Sequence, residues 1–145
     1  MSQYTPATVR DILDWIEQGK LILPSMQRNY VWSPQKICDL FDSLASGYPI
    51  GTFLFWCVNK EKTKELVFNK FIGCYDESNP IQRGEAVIAK VDEYLAVLDG
   101  QQRITSLNIG INGRMHLRKK KRSTKFVDKF LALNVFHDTE ATDGE

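Results

Sequence analysis

The chain has 145 residues, a formal net charge of +1, 43% hydrophobic and 26% charged residues. This is the length of one domain, and its apolar and aromatic content suffices for a packed core, which excludes a disordered chain. Three cysteines without a C-x-x-C pair, Cys38, Cys57 and Cys74, exclude an all-paired disulfide scaffold and speak against a structural zinc site; they read as small buried hydrophobes.

No signal-peptide pattern opens the sequence, and the longest apolar stretch, Phe53 to Val58, is too short to span a bilayer. The expected compartment is a reducing cytoplasm. The near-neutral total conceals an asymmetry: residues 114–129 carry +7 and the remainder −6. Any nucleic-acid contact is therefore expected from the C-terminal segment.

In chain order, Thr8 is placed to cap a helix over Val9 to Gln18, where Val9, Ile12, Leu13 and Ile16 form one apolar stripe and Gly19 follows the end. Leu21-Ile22-Leu23 reads as a short buried strand ended by Pro24. Ser33-Pro34 signals a second helix start, continued by Ile37, Leu40, Phe41 and Leu44 and stopped by Gly47. After a turn-rich connector, Thr52 to Val58 is aromatic and β-prone, the pattern of a central strand. Residues 59–89 read as short strand pieces with a surface loop or insertion. Tyr94 to Leu98 predicts a strand that Asp99-Gly100 ends abruptly. Gln101 to Asn112 resumes with helical spacing at Ile104, Leu107 and Ile111, and Asn112-Gly113 predicts a turn. Lys125 to Val135 predicts one more strand, running nearly to the end of the sequence as in a module of a longer protein. The order lacks regular βαβ alternation, so the fold class is α+β, a small mixed sheet with flanking helices over residues 1–137, and a flexible tail at 138–145.

Two segments carry chemistry. Leu98 to Leu107 reads strand, glycine turn, helix. The first amides of a helix lack internal partners and sit at the positive end of its dipole, so this geometry binds anions. Gly100 allows close backbone approach, and Arg103 can add a forked charged donor. Gln101 and Gln102 add neutral donors and acceptors, and Asp99 can hold a metal ion or orient a water. The bland alternative has Asp99 capping the helix and Arg103 solvated. Upstream, Leu23 to Trp32 gathers Gln27, Arg28, Tyr30 and Trp32 within six residues. That suits a stacking platform on Tyr30 or Trp32 with a phosphate clamp from Arg28. Alternatively, both aromatics anchor the core and Arg28 pairs with a carboxylate. No GxxxxGK[ST] P-loop occurs.

Pro24 to Trp32, then Tyr48-Pro49-Ile50-Gly51, then Leu98 to Leu107 with its Asp99-Gly100-Gln101-Gln102-Arg103 core, together resemble the N-terminal domain of GmrSD-type restriction proteins, and also SspE-type phage-defence proteins. The matches fall in family order and span about residues 10–110. The resemblance implies a ParB/sulfiredoxin-like fold that binds and hydrolyses nucleoside triphosphates with Mg²⁺ and thereby controls cleavage of modified phage DNA. It maps the triphosphatase signature onto Asp99, Gly100, Gln101, Gln102 and Arg103 and the upstream pair onto Gln27 and Arg28. With the chemistry of the residues themselves, the expected catalytic groups are Asp99, Gln102, Arg103 and Arg28, the metal contact Asp99, and the nucleotide contacts Gln27, Arg28, Tyr30, Gly100, Gln101, Gln102 and Arg103. An HNH-type nuclease usually follows in the same or a partner chain. This sequence has only His116 and His137, far apart, so nuclease activity is not expected of it alone. A larger helical part of the family domain also has no counterpart here.

The run Arg118-Lys119-Lys120-Lys121-Arg122 reads either as a solvated hairpin tip or as a salt-dependent, sequence-blind DNA contact. His116 and His137 read as surface residues. The expected partners are thus a nucleoside triphosphate, DNA, a nuclease domain and a second copy of the chain, with no membrane. The rival reading is a nucleic-acid-binding module without nucleotide hydrolysis, or an inactive fragment.

Overall fold

Helix α1, Val9–Glu17, begins where a reciprocal pair of hydrogen bonds closes its first turn. Thr8 Oγ1 accepts from the Asp11 amide at 3.1 Å, and the Asp11 carboxylate accepts from the Thr8 amide at 2.7 Å. These bonds hold the Asp11 carboxyl below its ordinary range. The computed structural model describes residues 6–59, 66–79, 81–87, 93–121 and 123–134. Gly19, at φ +70°, turns the chain out of α1. Strand β1, Leu21–Pro24, follows, with all four residues buried. Helix α2, Pro34–Ala45, starts as its sequence predicts, with the Ser33 side chain accepting from the Lys36 amide and Pro34 in the first turn.

The remaining elements are β2 (Leu54–Asn59), β3 (Phe68–Asn69), β4 (Cys74–Asp76), β5 (Glu93–Asp99), α3 (Gln101–Asn112), β6 (Arg114–Arg118) and β7 (Phe126–Lys129). A four-stranded sheet has the order β2-β5-β1-β3, and a three-stranded sheet the order β4-β6-β7. β1 runs parallel to β5, with Leu21 opposite Leu95, while β2 runs antiparallel to β5. The fold is α+β, as expected.

Three apolar clusters hold the layers together. Ile12, Leu21, Leu23, Val97 and Ile104 fill the space between the first sheet and helices α1 and α3. Ile22, Val58, Tyr94 and Ala96 pack on the opposite face of that sheet. Tyr30, Ile37, Ile109 and Met115 join α2 and α3 to the second sheet. Helix α3 is the hub: seven of its residues, from Gln102 to Ile109, are buried.

Four local expectations are corrected. The aromatic stretch Thr52 to Val58 is not central: β2 is an edge strand, with Leu54, Trp56 and Cys57 exposed. Cys38, Cys57 and Cys74 are all exposed rather than buried; Cys57 shares the strand face of Phe55 but sits on the edge strand β2. Arg114–Arg118 is a strand, where only a turn at 112–113 was expected, and β7 is shorter than Lys125 to Val135. Arg122, His137 and the expected tail at 138–145 lie outside the described residues. No helix among the described residues is long and apolar enough to cross a membrane.

Candidate functional site

Strand β5 delivers the chain to Gly100, the N-cap of α3, at φ +92°. A side chain there would be strained, and its Cβ would stand 2.3 Å from Phe53 Cδ1. Unlike α1 and α2, helix α3 has no side-chain cap. Its first internal bond is from the Ile104 amide to Gly100 O at 3.0 Å. The amides of Gln101, Gln102 and Arg103 therefore point out of the helix start without a partner among the described residues. They open onto a cleft of about 370 Å³ lined by these residues together with Gln27, Arg28, Trp32, Leu98 and Asp99.

The polar side chains of the motif residues knit three distant segments around that helix start. Gln27 Nε2 donates to Val97 O. Gln101 Nε2 donates to Arg28 O at 2.8 Å. Gln102, only 6% exposed, accepts from the Val31 amide at 3.0 Å and donates to Asn29 O at 3.1 Å, so its amide serves as a short strand partner for residues 29–31. Arg103 donates to Ile50 O at 2.5 Å and to Thr52 O at 2.9 Å, pairs with Asp99 Oδ2 at 3.3 Å and lies 4.9 Å above the Phe53 ring. Gly51 makes that clamp possible: it sits at φ +87°, and a Cβ would come within 2.6 Å of Arg103 Nη1.

The family model described as the GmrSD restriction endonuclease N-terminal domain matches residues 9–143. The chain belongs to this family. A protein of Methanocaldococcus jannaschii whose name is Uncharacterized protein MJ0686 is 37% identical over 101 residues, covering 68% of this chain. The match spans 16% of that relative's length. The matching family is, by its description, the N-terminal domain of a restriction endonuclease.

Within this GmrSD N-terminal domain, the cation left free at the cleft is Arg28. It is exposed and carries no ion pair or hydrogen bond through its guanidinium among the described residues. Beside the cleft residue Trp32, Lys36 Nζ lies 5.8 Å from the centre of the indole ring. Asp99 does not cap α3: it precedes the cap residue, its carboxylate reaches Arg103, and its side chain is 72% exposed at the lip. It is the single carboxylate among the lining residues, and no group of three His, Cys, Asp or Glu that could hold a metal occurs among the described residues.

Three expected roles are corrected. Tyr30 is 2% exposed and cannot offer a stacking face. Ser106 Oγ donates to Gln102 O at 2.8 Å, so the Tyr30 hydroxyl donates to Ser106, also at 2.8 Å, and burial pushes that phenol up to about 12. The Gln102 side chain presents no free amide to the cleft, because both its ends are bonded to the backbone. The Arg103 guanidinium, in a side chain 22% exposed, is committed to loop carbonyls. Arg118, Lys119, Lys120 and Lys121 lie on β6 and the loop after it and do not line the cleft. Sequence reasoning missed the carbonyls of Ile50 and Thr52, and no local signal announces them.

Proposed function

We propose that this domain binds a nucleoside triphosphate in the α3 cleft and hydrolyses it to control a nuclease carried by another domain or chain of a system acting on modified DNA. The observation that carries this reading is the uncapped start of α3, opening on a cleft where Arg28 is unpaired. Backbone amides at a helix N-terminus and one forked guanidinium form a phosphate site without a P-loop. The bound-up side chains support the same reading: Gln27, Gln101, Gln102 and Arg103 hold the backbone still, so the amides are pre-organised.

In this scheme the amides of Gln101, Gln102 and Arg103 hold the phosphate chain, Trp32 offers a face to the base or sugar, and Arg28 neutralises charge on the transferred phosphoryl group. Asp99 orients the water that attacks the terminal phosphorus. The bond to the bridging oxygen breaks, the nucleoside diphosphate leaves, and the water's proton passes to the phosphate product. With one carboxylate in reach, a Mg²⁺ ion would arrive with the triphosphate, keep most of its water, and take at most an oxygen of Asp99; it would supply charge neutralisation.

Phosphate release from each of the four common nucleoside triphosphates, measured with Mg²⁺ and with or without modified duplex DNA, tests the reading. Turnover of at least one nucleotide, reduced roughly tenfold or more in Arg28→Ala, is expected. A folded chain that neither binds nor hydrolyses any of them would refute it.

A further inference from the structure

We infer that the tip of the β6–β7 hairpin docks on the phosphate backbone of duplex DNA. The identity of the polyanion rests on the restriction-system reading above; the existence of a polyanion site rests on the hairpin itself. β6 and β7 form a two-stranded antiparallel ribbon with His116 opposite Asp128 and Arg118 opposite Phe126. At its foot the charges are matched. Asp128 lies 3.2 Å from Arg114 Nε and 2.6 Å from His116 Nδ1; nearer the tip, the Glu77 carboxylate accepts from the Arg118 backbone amide at 2.6 Å.

The tip is built differently. Lys119, Lys120, Lys121 and Lys125 are exposed, and none has an ion-pair partner among the described residues. Their backbone is nevertheless fixed. The Lys119 amide donates to Lys125 O at 2.9 Å, the Ser123 amide to Lys120 O at 2.9 Å, and the Lys125 amide to Ser123 Oγ at 3.0 Å. Arg118 ties the tip to the strands, lying 5.1 Å over the Phe126 ring and donating to Ser123 O at 3.1 Å. Four ammonium groups on one turn repel each other in the free protein, and a phosphate backbone removes that repulsion while releasing its own counterions. A two-stranded ribbon also fits a major groove about 12 Å wide. Of the five basic residues singled out in the sequence, Lys119, Lys120 and Lys121 are thus the contact groups and Arg118 the brace, with Lys125 added from the returning strand. The contact is sequence-blind.

The test is fluorescence anisotropy of a labelled duplex of about 20 base pairs, titrated with the whole chain from about 50 to 200 mM salt. Replacing Lys119, Lys120 and Lys121 together by Gln is expected to weaken binding at least about tenfold and to flatten the slope of log K against log salt by about 3. Lys119→Gln alone flattens it by about 1 and serves if the triple variant misfolds, while Lys20→Gln, outside the hairpin, leaves it unchanged. An unchanged slope in the lysine variants overturns the inference, as does the absence of duplex binding or binding confined to single-stranded RNA. Nucleotide titration of the same samples separates the two readings. A chain that binds duplex through the hairpin but takes no nucleotide leaves this inference standing and removes the proposed function.

Discussion

The start of α3 and the tip of the β6–β7 hairpin both gather positive potential, and they do so by opposite means. At α3 the charged and polar side chains are turned inward: Arg103 clamps Ile50 and Thr52, and Gln102 binds residues 29–31. What is left unbonded at the helix start is backbone amide, with Arg28 beside it and Asp99 and Trp32 on the cleft wall. At the hairpin the backbone closes on itself and the lysines are left loose. A rigid amide array discriminates by shape and suits a small polyanion held in one orientation. Loose ammonium groups respond to charge density alone and suit a long, repetitive one.

The contrast predicts that substitutions around α3 act through the fold, whereas those at the hairpin do not. The largest effect is expected for Gly100→Ala, which places a side chain at positive φ against Phe53 and should lower stability by roughly 2–4 kcal/mol in urea denaturation. Gln102→Ala leaves the Val31 amide and Asn29 carbonyl without partners and should remove about 2 kcal/mol by the same assay. A smaller loss, about 1 kcal/mol, is expected for Arg103→Lys, which keeps the charge but cannot reach both Ile50 and Thr52. If Arg103→Lys abolished nucleotide binding without touching stability, Arg103 would be a ligand contact and the contrast would fail.

A pH dependence sharpens the same point. Burial raises the Tyr30 phenol from its ordinary 10 to about 12. The unfolded chain therefore loses that proton first. The stabilisation is full below pH 10 and is lost as pH rises toward 12, on the order of 1 kcal/mol per unit. Denaturation curves at rising pH should show this decline, and Tyr30→Phe should flatten it; an unchanged decline in Tyr30→Phe would assign it to other groups.

Local signals were legible in the sequence wherever one residue type does one job. The capping residues Thr8 and Ser33, the glycine turn at Gly100 and the span Gln101–Asn112 follow from neighbours a few positions away. The partners of the motif side chains do not. Gln101 and Gln102 bond residues 71 to 73 positions upstream, and Arg103 reaches 51 to 53 positions back. No spacing rule announces such contacts, so the glutamines read as ligand groups without a hint that their amides bond the backbone of residues 28–31. β2 was misplaced because Phe55 and Trp56 look like a buried strand, although the sheet ends there. β6 was missed because Arg114, His116 and Arg118 hide the inward alternation of Met115 and Leu117.

The central claim is that backbone amides and Arg28, not the motif side chains, grip the phosphates. Isothermal titration of each Mg²⁺–nucleoside triphosphate into the chain and into Arg28→Ala tests it most directly. The account predicts saturable binding to the unaltered chain, weakened roughly tenfold or more in Arg28→Ala while the melting curve stays within about 0.5 kcal/mol of the original. Equal affinity in the two proteins, or no heat from any nucleotide with a folded chain, would contradict it.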